Sequence, residues 1–147
     1  QYTLTLDGLK AGSLERKTPA LEIQGDLTLV LKKGTESELL SADAALKKGA
    51  GTLTIRGEGS LRLQGETALE GEWKEETLNQ DEPSALRIEG GKLVFTGEET
   101  ALYEDTVELA GGEIQIQCLN GKGTGIRAHT LDDRHFSGSL EMEESEE

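Results

Sequence analysis

Two short stretches hold most of the residues able to do chemistry, TALYEDTVELA at 100–110 and AHTLDDRHF at 128–136. Glu104, Asp105, Glu108 and Asp132 offer hard oxygen donors, of which calcium takes about six to eight. Neither an EF-hand loop nor the GGxGxDxUx repeat is present, so such donors would have to come from separate turns. Tyr103 and Arg127 suggest different chemistry: an aromatic ring beside a guanidinium can stack on a sugar and hydrogen-bond its hydroxyls or carboxylate. Glu70 and Trp73 extend that set. Each group also has a structural reading. Acidic turns keep a sheet edge soluble, Tyr103 can cover a neighbouring rung, and Trp73 can anchor a loop.

Catalysis finds less support. His129 and His135 stand six apart with Asp132 and Asp133 between them, but the serines carry no nucleophile-elbow pattern, and a histidine zinc site would lack ligands. Cys118 is the only cysteine, which excludes an internal disulfide and a thiolate metal site. A glycosidase pair needs two carboxyls about 5–10 Å apart across a sugar-sized cleft, and only the polar stretch at about 70–83 is long enough to wall one. The chain reads as non-catalytic, with no catalytic residue assigned; a polysaccharide lyase or hydrolase is the outside alternative.

Charge narrows the partners. Residues 1–64 hold nine basic and eight acidic side chains, a balance of +1, and residues 65–147 hold six and twenty-one, a balance of −15. The acidic half would repel nucleic acid and anionic lipid. No 18-residue apolar run suggests a membrane span. The start at Gln1 suggests a processed or excised domain whose targeting segment lies elsewhere.

These residues need a frame. Only 34% of the chain is apolar and five residues are aromatic, against 19 glycines and 2 prolines. That composition suits short strands and tight turns. Apolar residues alternate in Leu53/Ile55, Leu61/Leu63, Leu86/Ile88, Leu93/Phe95, Val107/Leu109 and Ile114/Ile116, the period of half-buried strands. The triplets ending at Leu21, Leu46, Leu69, Leu102 and Ile126 recur at a spacing typical of solenoid coils. Stacked at about 4.8 Å, those five residues form one interior ladder. Leu53, Leu86, Val107 and Leu131 form a second, and Leu63, Phe95, Ile116 and Met142 a third.

The expected fold is therefore all-β: one domain, 1–147, forming a right-handed parallel β-helix of about five to six coils with three short strands per coil. An antiparallel β-sandwich or jelly roll is the alternative, because alternation does not distinguish parallel from antiparallel pairing. The polar stretch at about 70–83 reads as a loop inserted at one corner, and about 141–147, EMEESEE, as an acidic tail. Asp133 falls on an interior column, where a carboxylate is costly, so the core is expected to end there. The same stacking gathers Glu104, Asp105, Glu108 and Asp132 near one corner as a calcium site, and aligns Glu70, Tyr103 and Arg127 in an outward column.

YTLTLDGLKAGS, TPALEIQGDLTLVLKKGTESEL, GTLTIRGEGSLRLQG, SALRIEGGKLVFTG and TVELAGGEIQIQ together resemble the carbohydrate-binding-domain proteins of Gram-positive, often anaerobic, bacteria. Those proteins form a right-handed parallel β-helix similar to pectate lyases. The resemblance implies an extracellular or cell-surface module that binds plant or other acidic polysaccharide, holds calcium at acidic turns and has no lyase activity. It carries over no individual ligand residue. The chain departs from the family in having few asparagines, Asn79 and Asn120, and few aspartate-glycine turns. A structural or adhesive spacer joined to further domains of the same surface protein is the rival function.

Overall fold

The computed structural model describes residues 2–49, 51–71, 84–119, 124–128, 130–134 and 136–144. Among them every regular element is a strand, and every strand pairing is parallel. The chain is a β-solenoid of about five turns. Coil one holds β1 (Tyr2–Leu6), β2 (Lys10–Gly12) and β3 (Leu21–Ile23); coil two holds β4 (Leu27–Leu31), β5 (Glu36–Leu40) and β6 (Ala44–Lys48). Coil three is β7 (Gly51–Gly57) and β8 (Ser60–Glu70), and coil four is β9 (Ser84–Ile88) and β10 (Lys92–Tyr103). Coil five has β11 (Thr106–Leu109), β12 (Glu113–Cys118) and β13 (Thr124–Arg127), and a partial sixth has β14 (Thr130–Asp132) and β15 (Ser139–Glu144).

Three faces result. The first stacks β1, β4, β7, β9, β11 and β14; the second stacks β2, β5, β8, β10, β12 and β15; the third stacks β3, β6, β8, β10 and β13. β8 and β10 serve two faces because each runs through the corner that separates β5 from β6 and β12 from β13. Small side chains permit that bend. Ala45, Ala68 and Ala101, just past the corner on successive coils, are fully buried. β10 absorbs an extra residue between Gly97 and Thr100, where its register with β8 shifts.

The three interior ladders stand as the alternation implies. Leu21 pairs with Leu46, Leu46 with Leu69, Leu69 with Leu102 and Leu102 with Ile126. Leu53, Leu86, Val107 and Leu131 stack on the first face, and Leu63, Phe95, Ile116 and Met142 on the second. Most of these side chains are buried, and each contributes about 1.5–3 kcal/mol of transfer free energy. Phe95 is the largest fully buried side chain. Asp133 is exposed and Leu131 is 47% exposed, so the core ends in the sixth coil.

At the turn between the first and second faces, Gly59, Gly91 and Gly112 occupy equivalent positions on successive coils, each one residue before the paired Ser60, Lys92 and Glu113. Gly91 and Gly112 have φ of 98° and 95°, a region that side-chain-bearing residues rarely enter.

Candidate functional site

Strand alternation places Leu102 inside, Tyr103 outside and Glu104 inside. The outward column on the third face runs Glu22, Lys47, Glu70, Tyr103 and Arg127, each in register with the next. The Arg127 guanidinium carbon lies 5.7 Å from the Tyr103 ring centroid, within cation–π range. Arg127 is exposed, whereas Tyr103 and Glu70 are half-buried. A depression of about 280 Å³ adjoins the column, lined by Glu22, Gln24, Lys47, Lys48, Glu70 and Gly71 among others. The expected trio of Glu70, Tyr103 and Arg127 is thus one continuous surface. Trp73, most of the 70–83 insertion, His129, His135 and residues 145–147 lie outside the described residues.

The acidic corner is arranged differently from the expectation. Glu104 turns into the interior and is 0% exposed, and its Oε2 lies 3.0 Å from Nζ of Lys48, which is 3% exposed. Lys48 Nζ also donates to the carbonyls of Gly49 at 3.0 Å and Gly51 at 2.7 Å. Glu104 Oε1 accepts the backbone N–H of Asp105 at 2.8 Å. Lysine and glutamate lie two coils apart, about 9.6 Å of stacking, and the coil between them contributes Gly71 at that position. Gly71 leaves the space they meet in: a Cβ there would collide with the Glu104 carboxylate.

Two of the other expected metal ligands, Glu108 and Asp132, are also engaged. Arg87 bridges Glu108 on the next coil and Glu89 just past the end of its own strand, the latter at 2.7 Å. Its pKa is raised above the ordinary arginine value, first by the hydrogen bond to Glu89 and then by the Glu108 charge. Arg134 forks onto Asp132 through Nε at 3.0 Å and Nη2 at 2.9 Å. Among the described residues no three His, Cys, Asp or Glu side chains are grouped to hold a metal ion. Glu104, Glu108 and Asp132 are thus each paired with a basic side chain. Glu104 is the clearest departure from the expected corner, since a site at the surface cannot use a carboxylate committed to a buried ammonium.

Sequence reasoning missed Lys48, Gly71 and Lys47. The signal was present in the ladder: two residues beyond Leu46, Leu69 and Leu102 come Lys48, Gly71 and Glu104, and one beyond Leu46 comes Lys47. No family model, curated protein or solved structure matches the chain. The fold and site define its class as a parallel β-solenoid protein with a buried lysine–glutamate pair and a charged, aromatic-bearing third face.

Proposed function

We propose that the chain is a non-catalytic module that binds acidic polysaccharide through its third face, as part of a secreted or cell-surface protein. The column of Glu70, Tyr103 and Arg127 carries this reading. It sets an aromatic face and a guanidinium within one sugar length of each other, and Lys47 adds a second cation along the same line. A sugar ring would stack beside Tyr103 while Arg127 or Lys47 takes a uronate carboxylate in a charge-assisted hydrogen bond. The adjoining depression gives the chain of sugars a shallow path.

Titration calorimetry with uronic-acid oligosaccharides, with and without calcium, tests the proposal. Tyr103→Ala and Arg127→Ala are expected to abolish heat release; exposed Arg127 should leave the melting temperature within about 2 °C, whereas half-buried Tyr103 should lower it further. Engagement of Glu104, Glu108 and Asp132 by basic side chains favours binding that does not need calcium. A calcium requirement, lost in Asp105→Asn with Asp132→Asn, would restore the cation site to the reading. Absence of binding across acidic and neutral glycans would refute the proposal and favour the spacer, for which the paired surface charges and the uninterrupted stacking of the first face are the supporting observations.

A further inference from the structure

Lys48 and Glu104 bring an amine and a carboxyl together in the interior, and those two groups share a chemistry besides charge pairing. Nζ stands 3.0 Å from Oε2, with the two side chains 1% and 0% exposed. The carboxyl carbon is one bond from that oxygen. Nitrogen and carbon are therefore held near the separation, about 3–3.5 Å, at which effective molarities reach about 10⁵–10⁸ M. The rungs two residues earlier on the same three coils, Leu46, Leu69 and Leu102, are all 0% exposed, so the pair faces an apolar interior.

The immediate surroundings fit acyl transfer to that amine. Glu104 Oε1 accepts the Asp105 N–H at 2.8 Å, a fixed donor placed where negative charge develops once nitrogen adds to the carboxyl carbon. On the other side, the carbonyls of Gly49 and Gly51 accept from Nζ at 3.0 and 2.7 Å and hold it in place. Gly71, on the coil between, has no side chain to keep the partners apart, and a Cβ there would collide with the Glu104 carboxyl carbon itself.

We propose that this pair condenses to an amide, which links the second coil to the fourth through Lys48 Nζ and Glu104 Cδ. A proton first passes from the ammonium to Oε2, giving an amine and a carboxylic acid, a neutral pair that escapes the cost of burying two charges. The nitrogen lone pair then forms the Nζ–Cδ bond while charge gathers on Oε1 opposite the Asp105 N–H. The Cδ–Oε2 bond breaks as Oε1 re-forms the carbonyl. Oε2 departs as water, carrying the proton it received first and a second one from Nζ. Nothing is oxidised or reduced, and no co-reactant enters. The depression of about 280 Å³ lined by Lys48, Gly49 and Gly71 among others adjoins the pair and gives that water a way out. The freshly folded chain carries the ion pair, and the amide accumulates in the folded state, which alone brings the two residues together.

Intact-mass spectrometry of the chain, kept folded and sampled over weeks, tests this. The expected result is a growing species one water lighter than the sequence requires, whose digest joins the peptide holding Lys48 to the peptide holding Glu104. That species should also run ahead of the linear chain in denaturing electrophoresis, because the link closes a long loop that unfolding cannot open. Lys48→Arg keeps a cation but presents no amine, and it should stay at full mass, as should the parent held in urea. A folded parent whose digest never yields the joined peptides would overturn the proposal. So would joined peptides that form as fast in urea, or an equal loss of water from Lys48→Arg, since neither depends on the geometry of this pair.

Discussion

Replacing Lys48 by methionine removes an ammonium from the solenoid interior while nearly keeping its volume. The Glu104 carboxylate, 0% exposed, would keep its hydrogen bond from the Asp105 N–H but lose the cation 3.0 Å away. Breaking a buried pair in this way costs about 3–5 kcal/mol. In a chain of 147 residues each kcal/mol lowers Tm by about 2–4 °C, so K48M should melt about 6–20 °C below the parent. Glu104→Gln should cost less, about 1–3 kcal/mol, because Lys48 keeps the carbonyls of Gly49 and Gly51. K48M with Glu104→Met should recover much of the loss, since an apolar replacement of both partners is often neutral. Urea unfolding followed by far-UV circular dichroism measures these four proteins and the Glu104→Met single variant that closes the cycle. A K48M cost below about 1 kcal/mol, or a double variant costing the sum of its parts, would refute the claim that the pair is a coupled buried unit.

Gly71→Ala places a Cβ against the Glu104 carboxylate and should cost about 1–3 kcal/mol as overpacking, and most of that increment should vanish when the same change is made in a Glu104→Ala background; denaturant midpoints of the cycle check this. Phe95→Ala, at the centre of the second-face ladder, should cost about 3–5 kcal/mol. Leu131→Ala, 47% exposed at the end of its column, should cost below about 1 kcal/mol by the same assay. Arg87→Ala removes a half-exposed contact to Glu89 and Glu108; after discounting for solvent screening its cost should stay below about 1 kcal/mol and shrink further in molar salt.

The ladders were legible because period-two alternation and a recurring coil length each constrain the chain, and the two agree at Leu46, Leu69 and Leu102. Parallel pairing followed from the columns, and so did the outward alignment of Glu70, Tyr103 and Arg127. Glu104 was not legible in the same way. Its charge argued for the surface, while its parity, two residues beyond Leu102, argued for the interior. The compensating cation stands two coils away rather than one, beyond the reach of a nearest-rung reading. Continuity of β8 and β10 through a corner was hidden for another reason: whether a strand breaks there depends on how tightly Ala45, Ala68 and Ala101 pack, which alternation does not encode. The pairing of Arg87 with Glu108 was readable from register alone, because the two occupy adjacent rungs of one outward column.

In a stack of coils each layer normally feels only the layers directly above and below, and opening spreads inward from the ends one layer at a time. The Lys48–Glu104 contact does not obey that limit. It joins the second coil to the fourth across the third, so the third coil cannot peel away from either neighbour without separating a buried ion pair. Coils two to four thereby become a single cooperative block, and the first and fifth coils are left to exchange their amide hydrogens independently. The slowest amides in the molecule should accordingly form a plateau across three coils rather than a peak on one.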